Sequence, residues 1–307
     1  MKVAVLCGGF SEEQHASRRS GEEVFGALQR LGHDARILEY DADFIVKLKE
    51  LSPDAVFHVM QGKRHGDGAV QAILELLGIP YTGSRPHAAA IINHKTLCKK
   101  IWLAAGIRTP DFFECSSEEY IQEGFAGFLK KAKAAGFDLP IVVKAPTQGG
   151  RFGIVFVKDE KSFREAEASF QYDDTLLAER YVEGRFITQG ILEIDGRLAA
   201  LPPVEVLDVD GGEFKFYDGN TLAADPGFTT EQLIEINQTT LTASKLVGAS
   251  GVGRLDYHLS GGELYLLEIN AQPGLRPDCS DIIKCADAAG YTYDEFIGMI
   301  LASAKKG

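Results

Sequence analysis

No stretch of this 307-residue sequence is apolar for long enough to span a bilayer, so a helical membrane anchor is not expected. The opening Met1-Lys2-Val3-Ala4-Val5-Leu6-Cys7 is too short for the apolar core of a secretion signal. It runs at once into Gly8-Gly9 and is better explained as a first strand. Positive charge is scarce: 32 Lys and Arg stand against 44 Asp and Glu, a formal net charge of −12. That balance argues against a nucleic-acid surface and against an anionic membrane as partner. It still allows an acidic enzyme that binds nucleotides through a few local lysines and a metal. The five cysteines (Cys7, Cys98, Cys115, Cys279, Cys285) are odd in number and lack CxxC or other metal spacing. Reduced thiols in a cytoplasm, serving as small core or surface residues, are what this pattern implies. Internal repeats and low-complexity linkers are missing too, so domain boundaries are soft. At this length two or three domains are expected, with boundaries near residues 92 and 182.

What is present is first a βαβα alternation. It predicts a strand over Lys2 to Cys7, a helix over Ser17 to Leu31, strands at Ala35 to Leu38 and Ala55 to Val59, and a helix over Ala69 to Leu77. Such alternation implies a parallel, doubly wound sheet whose functional loops sit at the strand C-termini. One helix is expected from about Ala88 to Ala105, ended by Gly106 and Pro110. A strand at Thr109 to Cys115, an amphipathic helix over Glu118 to Ala135 and an apolar run into Lys144 follow.

Near the C-terminus, Gly253 to Leu259 and Glu263 to Asn270 alternate as two strands around Ser260-Gly261-Gly262. Leu255, Tyr257, Leu259, Tyr265, Leu267 and Ile269 would share one face, and a turn with an odd residue count would keep them together. Asp256 then lies across from Glu268 or diagonal to it, with Asn270 two residues beyond. Like charges at cross-strand distance repel unless a divalent cation or a proton lies between them. Two carboxylates and a neutral oxygen are hard ligands suited to Mg²⁺ held together with phosphate; a solvated polar strand face is the competing explanation. Lys144 ends a strand and leads into Thr147-Gln148-Gly149-Gly150-Arg151-Phe152-Gly153 before a strand at Ile154 to Val157. Backbone N–H groups there could approach phosphate oxygens, with Lys144 and Arg151 adding charge, although an ordinary hairpin turn would look similar.

In order along almost its whole length, the sequence resembles the ATP-grasp ligases, and within them the D-alanine–D-alanine ligase family. Gly8-Gly9-Phe10-Ser11-Glu12-Glu13 is similar to the family's GG-x-S-x-E loop, and Gln71 to Ser84 to its equivalent segment. Arg254, Asp256, Glu268, Asn270, Pro273 and Gly274 match R-x-D … E-x-N-x-x-P-G. The resemblance implies an α/β chain, α+β in its ATP-binding part. It would be an ATP-grasp fold with an N-terminal Rossmann-like domain at 1–92, a central ATP-grasp subdomain at 93–182 and a C-terminal one with the metal site at 183–307. It also implies an ATP-dependent carboxylate–amine ligase working through an acylphosphate in the cytoplasm. Lys95 and Lys144 would bind phosphate, helped by Gly149, Gly150 and Arg151. Glu179, Arg180, Tyr181 and Val182 would hold adenine. Asp256, Glu268 and Asn270 would bind two Mg²⁺ ions, with Mn²⁺ as a substitute. Arg254 and the Gly274 N–H would stabilise the oxyanion, and Glu13 the first substrate's ammonium group. The loop Gly211 to Ala224 would be a lid, and the chain a homodimer acting on small molecules.

Departures from the family concentrate at the amino-acid end. The Ser that partners Glu13 is Gly150, and the His after the third strand is Gln61. Tyr217-Asp218-Gly219-Asn220-Thr221 replaces a longer lid sequence, and Arg276-Pro277-Asp278-Cys279-Ser280 stands where small residues hold the second substrate. Phe186 aligns with the ribose-binding Glu, with Glu183 or Arg185 as compensating groups. Three functions follow as expectations: a ligase whose substrates differ from two D-alanines, an ordinary D-alanine–D-alanine ligase, or a non-catalytic ATP-binding homologue. His15, His58, His65 and His94 flank the expected cleft and are given no catalytic proton.

Overall fold

A computed structural model describes residues 1–207 and 226–306. The expected lid, Gly211 to Ala224 with Tyr217 to Thr221, lies outside the described residues. The chain begins as β1 (Lys2–Cys7), α1 (Gln14–Arg30), β2 (Asp34–Glu39), α2 (Phe44–Leu51), β3 (Ala55–His58) and α3 (Ala69–Leu76). The strands form a parallel sheet in the order β2-β1-β3, as the alternation predicts. β1 is apolar from Val3 to Cys7 because both of its faces are covered there. Val3, Val5 and Cys7 join one core with Val24 and Leu28 of α1, whereas Ala4 and Leu6 join another with Leu48 and Leu74 from α2 and α3.

The single helix expected over Ala88 to Ala105 is two, α4 (Pro86–Ile92) and α5 (Lys95–Ala104). His94 between them is extended (φ −108°, ψ 94°), and its ring Nδ1 accepts the Leu97 N–H at 3.4 Å, capping α5. Asn93 donates to the Thr147 carbonyl at 3.2 Å, so the break turns the N-terminus of α5 toward the glycine loop. Trp102 of α5 is fully buried.

The next elements are β4 (Phe112–Ser116), α6 (Ser117–Ala134), β5 (Ile141–Lys144), β6 (Val155–Val157), α7 (Glu160–Ala166) and β7 (Thr175–Arg180). Their sheet is antiparallel, in the order β4-β7-β5-β6, over a core that includes Tyr120, Phe128 and Phe163.

A third, antiparallel sheet contains β8 (Arg185–Ile194), β9 (Arg197–Ala200) and β10 (Val204–Val206). After α8 (Thr230–Leu246) it is completed by β11 (Val252–Ser260) and β12 (Glu263–Asn270). The order is β10-β8-β11-β12, with β9 also on β8. The expected hairpin is present, but its turn is the two residues Gly261-Gly262, both at positive φ (57° and 85°), as a tight two-residue turn requires. The parity change that keeps the apolar set together lies instead in a bulge. Tyr257 pairs with Leu266 and Asp256 with Glu268, leaving Leu267 as the extra residue. Near the turn it is therefore Leu264 and Leu266 that are buried, not Tyr265 and Leu267. Beyond the bulge Ile269 is buried as expected.

α9 (Asp281–Ala288) and α10 (Tyr293–Ala302) return to the first sheet, where Ile282, Phe296 and Ile300 share a core with Val3, Val5 and Leu28. Thr292 starts α10 with a capping box, its hydroxyl accepting the Glu295 N–H while Glu295 accepts the Thr292 N–H. Thr292→Ala is expected to cost about 1 kcal/mol, read as a lowered urea midpoint at unchanged slope. Among the described residues no helix is long and apolar enough to cross a membrane.

Candidate active site

A cavity of about 660 Å³ is lined by residues of the second and third sheets and by loops that follow β1 and β3 of the first. Apart from Glu183 and Arg185, considered for the sugar, every residue singled out above for catalysis, nucleotide or metal reaches its lining. Glu13 stands just before α1, Lys95 at the start of α5, Lys144 at the end of β5, and Gly149, Gly150 and Arg151 in the loop after it. Glu179 and Arg180 end β7, followed by Tyr181 and Val182. Arg254 and Asp256 come from β11, Glu268 and Asn270 from β12, and Gly274 from the segment beyond.

Because of the bulge, Asp256 and Glu268 are direct cross-strand partners, and the Asn270 amide reaches both, Nδ2 lying 3.3 Å from Asp256 Oδ2 and 3.4 Å from Glu268 Oε1. Asp256 is buried and accepts bonds from Arg254 Nε (2.9 Å) and Nη2 (2.6 Å) and from the Thr188 hydroxyl (2.8 Å). Arg254 Nη1 also lies 3.6 Å from Asp281. Glu268 is 3.4 Å from Lys95 Nζ. Burial alone would raise the Glu268 carboxyl, but Lys95, Lys144 and Arg254 hold it at about 2. Burial pushes the Asp256 carboxyl up, against Arg254 and with the help of neighbouring Glu268, because two adjacent anions disfavour each other. The two carboxylates supply hard oxygens, and Asn270, which here turns its Nδ2 toward them, would add its Oδ1 on an amide flip; that set fits a divalent cation shared with phosphate, in keeping with Mg²⁺ chemistry. Among the described residues no group of three or more His, Cys, Asp or Glu side chains makes a site of its own.

Opposite charges are distributed with equal care around Lys144. Its Nζ is 2.6 Å from Glu179 Oε2, and the other Glu179 oxygen is 3.0 Å from Lys99 Nζ. Burial works against the Lys144 charge, but Glu179 and Glu268 outweigh it and its pKa is raised. Lys95 Nζ donates to the Gln148 carbonyl at 2.7 Å. The glycine loop is fixed by Asp173, which takes the Thr147 N–H (2.9 Å) and hydroxyl (2.6 Å) and pairs with Lys63 at 3.2 Å. A Cβ on Gly149 would come within 2.6 Å of Glu13 Oε2, so any larger residue there would push the Glu13 carboxylate from its present position against the loop. Burial raises the Glu13 carboxyl, against the pull of Lys95.

Of the compensating groups considered for the sugar, neither Glu183 nor Arg185 reaches this cavity, and Arg185 is bound to Glu205 at 2.9 and 2.8 Å; Phe186 itself is in the lining. His58 and His65 are buried, with His58 pushed by burial down to about 4, and His65 Nε2 accepts the Phe10 N–H at 3.0 Å. His94 caps its helix, as described. Sequence reasoning missed Lys99, Asp281 and the loop anchor Asp173. Lys99 had a signal, since it lies one helical turn beyond Lys95 on the same face. Asp281 and Asp173 had none, because only the tertiary fold brings them to Arg254 and Thr147.

A family model described as "D-ala D-ala ligase C-terminus" matches residues 101–302. A D-alanine–D-alanine ligase of Moorella thermoacetica is 35% identical over 98% of each chain, and one of Fervidobacterium nodosum is 33% identical over 99% of each. The crystal structure of D-alanine–D-alanine ligase from Bacillus anthracis complexed with ATP aligns with a TM-score of 0.81 at 29% identity, covering 99% of this chain and 96% of that one.

Proposed function

The chain belongs to the D-alanine–D-alanine ligase family of ATP-grasp, ATP-dependent, ADP-forming ligases, and from that premise we propose that its cavity binds ATP with Mg²⁺ and joins a carboxylate to an amine through an acylphosphate. The observation that carries this is the pairing of Asp256 with Glu268, bridged by Asn270, in a cavity that Lys95 and Lys144 also line. When bound, Mg²⁺ supplies charge neutralisation across the phosphates, and Asp256, Glu268 and Asn270 are the residues to hold it. Lys95 and Lys144 attract the phosphates, and the backbone of Gly149, Gly150 and Arg151 approaches them. Glu179, Arg180, Tyr181 and Val182 form the adenine wall. Glu13 orients the first substrate's ammonium group. Arg254 and the Gly274 N–H meet the charge that develops when the amine adds to the acylphosphate. On this reading the units 1–92, 93–182 and 183–307 each supply one wall. The cytoplasm is the expected compartment and a homodimer the expected assembly.

Lys144→Ala is expected to weaken ATP binding on the order of tenfold to a hundredfold, the size of a lost charge-assisted contact. An unchanged affinity by calorimetry would remove Lys144 from the phosphate site.

We further propose that the amino-acid end differs from that of an ordinary family member. Support comes from Gly150 at the Glu13 contact, from Gln61 lining the cavity, and from Arg276 bound to Asp278 just beyond Gly274. The ordinary D-alanine–D-alanine ligase is the second reading, favoured by relatives of that name matching the chain from end to end. A non-catalytic role fits poorly with the retained Arg254 and complete acidic pair. Phosphate release from Mg-ATP across a panel of amino acids, with product mass, separates the three. D-alanine alone yielding a dipeptide identifies the ordinary enzyme. Another productive pair identifies the altered one, and silence with intact ATP binding identifies the non-catalytic homologue.

A further inference from the structure

Lys99 is fully buried and does not line the cavity, yet it is tied to it through a shared carboxylate. Its Nζ is 3.0 Å from Glu179 Oε1, donates to the Thr109 hydroxyl at 2.5 Å and lies 5.6 Å above the Phe112 ring. The second Glu179 oxygen holds Lys144 at 2.6 Å. Alone, a buried Glu179 beside Lys144 would form a neutral pair, and the cavity wall would offer a polyanion little attraction. Two lysines on one carboxylate leave that trio one positive charge in excess; Glu268, whose charge also acts on Lys144, is itself paired with Lys95, and Lys144 is the member of the trio that faces the cavity. We propose that Lys99 is a positioning residue that occupies half of Glu179, so that Lys144 keeps an uncompensated charge for the nucleotide's phosphates. This rests on the ATP reading of the cavity. Before phosphate binds, the trio holds an excess of buried positive charge that a polyanion offsets.

Lys99→Met keeps the aliphatic stem and leaves Glu179 and Lys144 as a neutral pair, with Glu179 Oε1 losing its cation, so the full-length protein should still fold with a lowered melting temperature. Its affinity for ATP should fall on the order of tenfold to a hundredfold, while its affinity for adenosine, which has no phosphates, stays within about twofold. Lys99→Met with Glu179→Gln restores the single excess charge on Lys144. The ratio of ATP to adenosine affinity should therefore recover, even if Glu179 itself contributes to the adenine wall. Equal ATP affinity in Lys99→Met, loss of its folding, or equal loss for ATP and adenosine would each overturn the proposal. A wild-type protein that fails to bind ATP would instead refute the reading of the cavity on which it rests.

Discussion

Glu268→Gln and Asp256→Asn are each expected to reduce Mg-ATP-dependent phosphate release on the order of a thousandfold or more while the chain still folds. Both changes keep side-chain volume, so packing against β8 and β11 is preserved, and what is lost is anionic oxygen, together with one acceptor atom facing the donors Arg254, Thr188 and Asn270 in Asp256→Asn. Asn270 can still bridge the pair, but one amide beside one carboxylate offers a divalent cation far weaker ligation than two carboxylates. Near-native circular dichroism with loss of Mg²⁺-dependent turnover is the expected outcome. Unchanged turnover in both variants would end the metal assignment. Glu268 also has an acid signature. Its carboxyl is held at about 2 against an ordinary 4.5, so it contributes stability that is present above pH 4.5 and lost as pH falls toward 2. In Glu268→Gln that contribution is absent, and the denaturation midpoint should fall less steeply between pH 5 and pH 3 than in the wild type.

Arg254→Met should fail in two ways at once. Removing the guanidinium leaves Asp256 without its two charged donors, next to Glu268 and near Asp281, which is the case in which breaking a buried pair is costly. A loss of about 3 kcal/mol is expected, measured as a shift of the urea midpoint. Turnover should fall on the order of a hundredfold to a thousandfold, the size of a lost oxyanion donor. Arg254→Lys separates the two effects. An ammonium restores charge beside Asp256 and hence much of the stability, but cannot reproduce the bidentate fork, so the rate stays low. Full activity in Arg254→Lys would show that only charge is needed at this position. The contrast with Lys99 is instructive: one buried cation neutralises a carboxylate and stabilises the fold, while the other adds a second positive charge to a carboxylate that Lys144 already satisfies.

The first sheet was legible because β1 has apolar residues on both faces and each strand is followed by a helix of clear period. The helix break at Asn93–His94 was not. Residues on either side favour helix, and the cap is a histidine ring whose role depends on where the Thr147 loop packs. The last hairpin was read with the right partners and the wrong device. Period-two reasoning demanded one parity change and placed it in the turn. The Gly-Gly pair instead forms a tight turn and the bulge at Leu267 makes the correction, because Leu264 and Leu266 fill the core beneath Tyr257 and Leu259.

By itself the sequence determined the family, the alternation of the first sheet and the identity of the groups that line the cavity, since these depend on residue types at fixed local spacing. Only the tertiary structure decided how those groups are electrically arranged: Asp256 claimed by Arg254, Glu268 by Lys95, and Glu179 divided between Lys144 and Lys99. Charge pairing over a few ångströms is set by which elements pack together, and β5, β7, α5 and the β11–β12 hairpin are brought within that distance by folding rather than by their order in the chain.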